Sequence, residues 1–219
     1  MEELQRDEIA SVIDSTITDL LAAARIEAPP VDAIALARQH LGMDICLDRR
    51  QPQRGRAHRA GGHEHIYLRP EPSVERHQWT VAHEVGEYFK PALLERLGVE
   101  PERARAMAGE SLASLFAHRL LVPACWLGGD APLLSYDVLE LKKRYPTASH
   151  EVIGWRLLDL PEPCIITIVD NEQAVAKLVA EQPKPAKPSR PGPGVCKGMI
   201  TYMAPDFDAS LEDFKDYME

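Results

Sequence analysis

The four cysteines of this chain form no Cys-x-x-C pair. They are widely separated in its 219 residues, at Cys46, Cys125, Cys164 and Cys196. Closely spaced thiols are the usual sign of a structural zinc site or a redox motif, so neither is indicated. We therefore expect free thiols in a reducing cytoplasm, with a disulfide or a cysteine metal site as the alternatives.

Long apolar runs and a basic, apolar leader are also missing. No stretch approaches the ~20 apolar residues that a membrane helix needs, and the first residues do not resemble a signal peptide. A formal net charge of −9 argues against a chain that is mainly a nucleic-acid binder. The 45% of apolar residues is enough for one core of ordinary size. We expect a cytoplasmic protein that binds neither a membrane nor nucleic acid directly.

A further absence lies inside residues 80–87, Thr-Val-Ala-His-Glu-Val-Gly-Glu. Zinc peptidases carry His-Glu-x-x-His on a helix, where two histidines one turn apart bind the metal and the Glu is the general base. Here Glu87 stands where the second histidine belongs. His83 and Glu87 are four residues apart, so on a helix their side chains leave the same face, with Glu84 beside them.

Two other His-Glu pairs serve as internal controls. His63 is followed four residues later by Tyr67, and His150 by Gly154, so neither has a second ligand one turn away. The pair at 83–84 has one. A solvated helix with chance acidic residues is the alternative explanation of this motif.

Residues 110–123 supply a second motif, Glu-Ser-Leu-Ala-Ser-Leu-Phe-Ala-His-Arg-Leu-Leu-Val-Pro. It resembles E-x-x-A-N-x-F-A-x-x-L-L-M-P of the ImmA/IrrE family of metallopeptidases. Three further segments match the same family: the Pro29-Pro30-Val31-Asp32 start of a helix ending at Leu41-Gly42, Arg76-x-x-x-Thr80-x-Ala82-His83-Glu84, and the Ala148-Ser149 start of a helix ending at Arg156-Leu157. The resemblance covers roughly residues 5–170.

This resemblance implies both a fold and a site. The implied fold is α+β and gluzincin-like, with helices packed on a small mixed or antiparallel sheet and a cleft between the two motif helices. The implied metal ligands are His83, Glu87 and Glu110, and the implied catalytic base is Glu84. Two positions depart from the family, because Glu87 replaces histidine and Ser114 stands where the family usually has Asn. The substrates in this family are helix-turn-helix repressors.

The Glu87 departure bears on the metal. A carboxylate can bind zinc at about the same distance as an imidazole. A His-Glu-Glu ligand set, however, adds a second negative charge, which weakens the Lewis acidity of the ion and favours harder cations such as Mn²⁺ or Mg²⁺. We expect one divalent metal, Zn²⁺ first and Mn²⁺ second. A working variant site, a slow enzyme with another metal and a fold that has lost its chemistry are all open.

Apolar periodicity and turn residues predict the individual elements. Helices are predicted at 2–27, from Val31-Asp32 to Gly42, at 75–97 as one helix or two with a break at Pro91, at 101–121, and as two segments between 135 and 160. Strands are predicted at 43–47, 65–69 and 164–169, the last one buried, while 49–59 is expected to be basic and irregular.

Two histidines outside the motif receive their own predictions. His118 follows Glu110 by two helical turns, about 12 Å, which is too far to share one ion. We expect it to form a hydrogen bond near the cleft. His77 is expected to cap its helix or to face solvent.

The chain is predicted to have one main domain and an appendage. Residues 1–130 form the metallopeptidase-like core, and 131–181 add a helical pair and a closing strand to the same domain. Residues 182–194 contain five prolines and three basic residues, which is typical of an extended linker.

Residues 195–219 are predicted to be a partner-binding tail. Its apolar residues Phe207, Leu211, Phe214 and Tyr217 follow helical spacing, and six acidic residues accompany one lysine in the segment 206–219. A helix this short is unstable alone and normally gains its structure in the groove of a partner. The alternative is a helix that docks on its own domain.

The tail also resembles the toxin-neutralising tails of Phd/YefM- and VapB-type antitoxins, which wrap PIN-domain ribonucleases. The matching residues are Pro193-Gly194, Lys197-Gly198, Asp206-Phe207-Asp208 and Leu211-Glu212-Asp213-Phe214. Ser210 replaces the usual proline. The resemblance implies a PIN-domain toxin as partner.

Two functions follow from these observations. The first is a metal-dependent endopeptidase of the ImmA/IrrE type that acts on a helix-turn-helix repressor, with a tail that binds and neutralises a toxin. The second is a non-catalytic scaffold with a peptidase fold that serves as an antitoxin or regulatory binding protein. A DNA reader built from the helices at 135–160 is less favoured, because they lack the basic cluster that DNA contact needs.

Overall fold

The computed structural model describes residues 6–99, 110–168 and 176–179, with the backbone alone at 110, 111, 168 and 176–179. Seven helices and five strands lie within these residues: α1 (Arg6–Ala23), α2 (Ala33–Gln39), β1 (Asp44–Leu47), β2 (Gly55–Ala60), β3 (His63–Leu68), α3 (Val74–Arg96), α4 (Glu110–Leu121), α5 (Ala124–Leu133), α6 (Val138–Arg144), α7 (His150–Leu157), β4 (Ile165–Ile168) and β5 (Ala176–Val179). The predicted α+β class is confirmed.

The three-stranded sheet is mixed, and β2 forms one of its edges. β3 lies in the centre, parallel to β1 and antiparallel to β2, with Asp44 opposite His65 and Gly55 opposite Leu68. Side chains alternate between the two faces of a strand, so Ile66 and Leu68 of β3 are buried on the same face. The strands β4 and β5 form a separate antiparallel pair.

Helix α2 begins at the predicted residue. Asp32 is its N-cap, and the carboxylate accepts the N–H of Ala35 at 2.9 Å. Gln78 of α3 is buried beside it, accepts the N–H of Ala33 at 2.7 Å and donates to Asp32 at 2.9 Å. Backbone N–H groups in the first helical turn need such partners. The cap therefore also joins α2 to α3.

Helices α3 and α4 approach each other most closely at Gly86. A Cβ atom at this position would lie 2.9 Å from the carbonyl oxygen of Ala113 and 3.0 Å from its Cα. Only glycine allows this approach without a shift of the backbone. Buried Val85 and Phe116 pack in the same core, so α4 lies directly beside the helix that carries His83 and Glu84.

A cluster of charged residues joins α1, α4 and α7. Arg119 and Arg156 are both buried, with exposed fractions of 4% and 2%. Both guanidinium groups donate hydrogen bonds to Asp159, and the bond from Arg119 is 2.9 Å long. Arg119 also donates to Asp14. Arg156 donates to the carbonyl oxygen of Val122 at 2.9 Å. Buried charges are tolerated when they are paired in this way.

Two predictions about the elements are wrong, and the open choice between one helix and two at 75–97 is decided in favour of one. The basic segment 49–59 contains the edge strand β2, because backbone pairing with β3 is available whatever the side chains are. Helix α3 continues through Pro91 without a break. Proline removes one hydrogen bond, to the carbonyl of Glu87, and the burial of Leu93 keeps the next turn in the core. The strand at β4 is present, but its Ile165 is 71% exposed.

Helix α5 was not predicted from the sequence. It contains Gly128, Gly129 and Pro132, three residues with low helix propensity. Burial of Leu127 and Ala131 outweighs that preference. The two helices predicted between 135 and 160 are confirmed as α6 and α7.

Several predictions lie outside the described residues. They concern the segment 101–109 of the second motif helix, the linker 182–194, the tail 195–219 with Phe207, Leu211, Phe214 and Tyr217, and Cys196. Cys46, Cys125 and Cys164 are free thiols, as expected.

Within the described part of the chain, no single helix is both long enough and apolar enough to cross a membrane. The segments Leu112–Leu121 and Ala124–Leu133 meet the length and composition limits together, but a bend of 54° separates them.

Candidate functional site

The predicted motif residues lie in the middle of α3. The helix begins at Ser73, whose hydroxyl accepts the N–H of Arg76 at 3.3 Å. Regular helix then continues for 23 residues, so His83 and Glu87 lie one turn apart as the spacing predicts. Their environment is formed by β2 on one side and α4 on the other.

His83 is held between an aromatic ring and α4. The indole of Trp79 stacks on its imidazole, with the ring centroids 5.2 Å apart and an interplanar angle of 26°. The hydroxyl of Ser114 lies 3.4 Å from Nδ1 of His83. Ser114, which departs from the family pattern, thus still contacts the motif helix, but at the long end of the hydrogen-bond range.

Glu84 points toward the edge strand β2. Its Oε2 accepts the backbone N–H of Ala57 at 2.8 Å. A Cβ atom at Gly55 would lie 2.3 Å from Cγ2 of Thr80 and 2.9 Å from Oε1 of Glu84, so the strand reaches α3 only because residue 55 is glycine. The sequence analysis did not predict this contact, because residues 49–59 were expected to be irregular.

The carboxyl of Glu84 has a raised pKa. Burial is the main cause, since it removes water from the charged form, and the neighbouring carboxylate of Glu87 adds to the shift. The hydrogen bond from Ala57 acts in the opposite direction and stabilises the charged form. The net effect moves the pKa toward neutral pH, which is where a general base works best.

Glu87 has a cationic partner on its own helix. Nζ of Lys90 lies 3.3 Å from Oε2 of Glu87, and the two side chains are 24% and 35% exposed. The residues are three apart, a spacing at which side chains of one helix meet. Lys90 was not among the predicted site residues, although its spacing of three from Glu87 was a signal that could have found it.

His83, Glu84 and Glu87 all line one cavity. It has a volume of about 830 Å³ and lies between α3 and β2. The remaining wall consists of Gln53, Arg54, Gly55, Arg56, Ala57, Trp79, Thr80 and Lys90. Glu84 and Glu87 also line a smaller neighbouring cavity of about 320 Å³. The three predicted residues of the first motif are therefore brought together at one accessible surface.

The position of Glu110 is described only in part. It is the first residue of α4, one turn before Ser114, and its side chain lies outside the described residues. Residues four apart share a helix face, so position 110 lies on the face that contacts His83 through Ser114. Within the described residues, no three His, Cys, Asp or Glu side chains form a group that could hold a metal.

No other histidine of the described residues lines this cavity. His118 lines an adjoining cavity of about 630 Å³ together with His150, and the two cavities share Arg54, Trp79 and Thr80. Burial lowers the pKa of His118 to about 4, so the ring is neutral at neutral pH. The hydrogen bond predicted for His118 is not found among the described residues. His77 accepts the N–H of Glu71 at 3.1 Å and closes the loop before α3.

The chemistry of the described donors fits a divalent metal. An imidazole and a carboxylate one helical turn apart face one cavity, and both are ligands that Zn²⁺ and Mn²⁺ accept. A partly buried carboxyl with a raised pKa, that of Glu84, lies beside them. The arrangement can therefore bind a cation and activate a water molecule, provided that a further ligand completes the site.

No protein-family model matches this chain, and no curated protein matches it. Among solved structures, a Mycobacterium tuberculosis transcriptional regulator is similar, with a TM-score of 0.58 and 18% sequence identity. The match covers 80% of this chain and 60% of the regulator, so this chain spans less than two thirds of that protein. At this identity the likeness shows a shared fold and nothing further.

Proposed function

We propose that this chain is a metal-dependent endopeptidase of the ImmA/IrrE type with a gluzincin-like fold. The observation that carries the proposal is the single cavity lined by His83, Glu84 and Glu87. The two other His-Glu pairs of the sequence do not line this cavity, so the grouping belongs to the predicted motif.

The metal would be held by His83, Glu87 and Glu110, with Zn²⁺ as the first choice and Mn²⁺ as the second. When bound, a divalent cation supplies Lewis-acid polarisation of a scissile carbonyl. Trp79 holds the imidazole of His83 in place through its ring stack. Ser114 contacts the same imidazole from α4.

Glu84 is the proposed general base. Its partly buried carboxylate would take a proton from the attacking water and later return it to the leaving nitrogen. The raised pKa suits this role, because a base with a pKa nearer the working pH shares the proton more evenly. Since Oε2 of Glu84 accepts the Ala57 N–H, the other oxygen, Oε1, is the atom that would take the proton of the water.

The proposed substrate is a helix-turn-helix repressor. The support for it is the resemblance of the two motifs to the ImmA/IrrE family. A net charge of −9 on this chain suits a basic DNA-binding protein as partner. Cleavage of a repressor would relieve the repression of its target genes.

A second candidate is a non-catalytic scaffold. It is favoured by the contacts of the two cavity carboxylates, because Glu84 accepts the N–H of Ala57 and Glu87 pairs with Lys90, so both have partners within the protein. A peptidase fold that had lost its metal would satisfy its polar groups in this way. Such a protein would act through binding alone.

Metal content separates the two candidates. The full chain is purified without added metal and analysed by mass spectrometry, together with Glu110→Ala and with His63→Ala as the matched control from another His-Glu pair. About one Zn or Mn per chain that disappears in Glu110→Ala and persists in His63→Ala supports the peptidase. A folded wild-type protein that stays metal-free even after incubation with Zn²⁺ or Mn²⁺ contradicts it.

The tail is proposed to bind a PIN-domain ribonuclease through Phe207, Leu211, Phe214 and Tyr217. These residues lie outside the described part of the chain, and the support is the resemblance of the tail to antitoxin tails. Co-purification with a PIN-domain protein encoded beside this one is the test. Equal binding after deletion of residues 195–219 would contradict the proposal.

A further inference from the structure

Lys90 brings a positive charge to the wall of the cavity where the metal is proposed to bind. Its ammonium group lies 3.3 Å from Oε2 of Glu87 and lines the same 830 Å³ cavity as His83 and Glu84. The remaining charged residues of the wall are Arg54 and Arg56 on the β2 side. Neither makes an ion pair within the described part of the chain, whereas Lys90 is paired with the motif residue itself.

The pair restores a charge balance that the Glu87 substitution would otherwise upset. A neutral histidine at position 87 would contribute no charge to the metal site, while a carboxylate contributes −1. Lys90 contributes +1 at hydrogen-bond distance, so the Glu87–Lys90 pair sums to zero, as a neutral histidine does. Both side chains are more than half buried, which limits screening by solvent and salt.

We propose that Lys90 sets the metal affinity of this site by cancelling the charge of Glu87. This inference rests on the proposed metal-binding function. With Lys90 beside it, Glu87 has the same net effect on the local charge as a neutral histidine at position 87. Lys90 is a charge-compensating residue, since it acts on the ion through Glu87.

If Lys90 only oriented Glu87, its removal would change the metal affinity in the opposite direction. A partner that only orients a ligand strengthens metal binding, and its loss typically weakens affinity 10–100-fold. Charge compensation weakens binding of a dication, so its loss makes the site more negative and tightens binding. The direction of the change in affinity therefore distinguishes the two roles.

The test is a cycle of four full-length proteins: wild type, Lys90→Gln, Glu87→His and Glu87→His/Lys90→Gln. Zn²⁺ alone is titrated at one pH and ionic strength in competition with a chromophoric chelator. We expect Lys90→Gln to bind about tenfold or more tightly than wild type and Glu87→His about tenfold or more weakly. The double variant, whose local charge equals that of wild type, is expected within about threefold of it.

The chain offers a matched control in a second Glu-Lys pair with the same spacing. Lys143 lies 2.6 Å from Glu140 on exposed α6, away from the cavity. Lys143→Gln removes the same charge from the protein and is expected to leave Zn²⁺ affinity unchanged. Circular dichroism checks that every variant is folded, and the Glu87→His pair of variants still tests the sign if Lys90→Gln alone is unstable.

The outcomes separate this inference from the function on which it rests. If wild type binds Zn²⁺ but Lys90→Gln binds equally or more weakly, charge compensation is wrong and the metal site stands. An equal shift in Lys143→Gln would also overturn it, because the effect would then be one of net charge. If no variant binds Zn²⁺ or Mn²⁺, the metal site fails and the role of Lys90 fails with it.

Discussion

Helix α4 contacts two groups of polar and charged residues, and only one of the two groups lines the 830 Å³ cavity. Near its start, Ser114 contacts His83 at the wall of the 830 Å³ cavity. Near its end, Arg119 joins Asp14 and Asp159 in an ion cluster, and these three residues line none of the three cavities described above. Pairing and burial are common to both groups. Access to an open volume is what separates a candidate site from a structural ion cluster.

The direction of the pKa shifts alone would not have distinguished these regions. Burial raises the pKa of Glu84 in the cavity and also that of Asp14 in the cluster. In the cluster, Arg119 and Arg156 oppose the shift at Asp14, whereas at Glu84 the opposing group is a backbone N–H. A shifted pKa therefore indicates a functional residue only where the residue also lines a cavity.

The largest expected effect on stability comes from breaking the cluster. Asp159→Ala leaves the buried guanidinium groups of Arg119 and Arg156 with Asp14 as the one carboxylate still near them among the described residues. We expect a loss of about 3–5 kcal/mol in the free energy of unfolding, measured by urea denaturation. Glu140→Ala, which breaks the exposed pair with Lys143, is the control and is expected to cost less than about 1 kcal/mol. Equal losses would show that burial of the cluster has no energetic consequence.

His118 lies between the two regions and should make stability depend on pH. Its pKa is about 4 in the fold and 6.5 in the unfolded chain, so the unfolded state binds the proton first as the pH falls. Stability is therefore lost between pH 6.5 and 4, by about 3 kcal/mol for this residue. His118→Gln should remove that part of the acid destabilisation, as seen by thermal unfolding at several pH values. An unchanged pH profile would mean that the ring is not buried as described.

The crossing of α3 and α4 supports both regions, and Gly86 tests it. Gly86→Ala places a Cβ atom 2.9 Å from the Ala113 carbonyl oxygen. We expect a loss of about 1–3 kcal/mol in the free energy of unfolding, because backbone must move. Gly128→Ala is the matched control, since its Cβ would have no neighbour within 4 Å. It should be neutral or stabilise the protein by up to about 1 kcal/mol through helix propensity.

The smallest expected effect on stability is at the proposed base. Glu84→Gln keeps an oxygen for the Ala57 N–H and removes the charge. A raised pKa in the fold means that ionisation of Glu84 opposes folding as the pH rises through that pKa. The variant should therefore be slightly more stable than wild type at pH 7 and equally stable below the unfolded-state pKa of 4.5. Thermal unfolding at both pH values checks this, and a less stable variant at pH 7 would contradict it.

The same variant sharpens the functional comparison. If the chain cleaves a repressor, Glu84→Gln should lower the rate about 10²–10⁴-fold without loss of stability. Asp159→Ala should instead lower stability, and its activity at a temperature where it is folded should change little. If Glu84→Gln lowered only stability and Asp159→Ala lowered only activity, the assignment of Glu84 to the active site and of Asp159 to the structural cluster would be reversed.

Sequence reasoning was most successful where local signals are strong. The start of α2 at Asp32, the helix that carries His83, and the pair α6 and α7 all follow from capping residues and apolar periodicity. It failed at β2 and α5, where strand pairing and core packing outweigh local preference. Arginine-rich β2 pairs with β3, and α5 is held by the burial of Leu127 and Ala131.

The amino-acid sequence by itself determined that His83, Glu84 and Glu87 lie on neighbouring positions of one helix, because the period of a helix follows from covalent geometry and hydrogen bonding. Tertiary structure alone decided what faces them: the β2 edge that bonds to Glu84, the Ser114 hydroxyl near His83 and the cavity that the motif shares with Lys90. These contacts join residues up to 31 positions apart. They depend on packing, which the local sequence pattern does not encode.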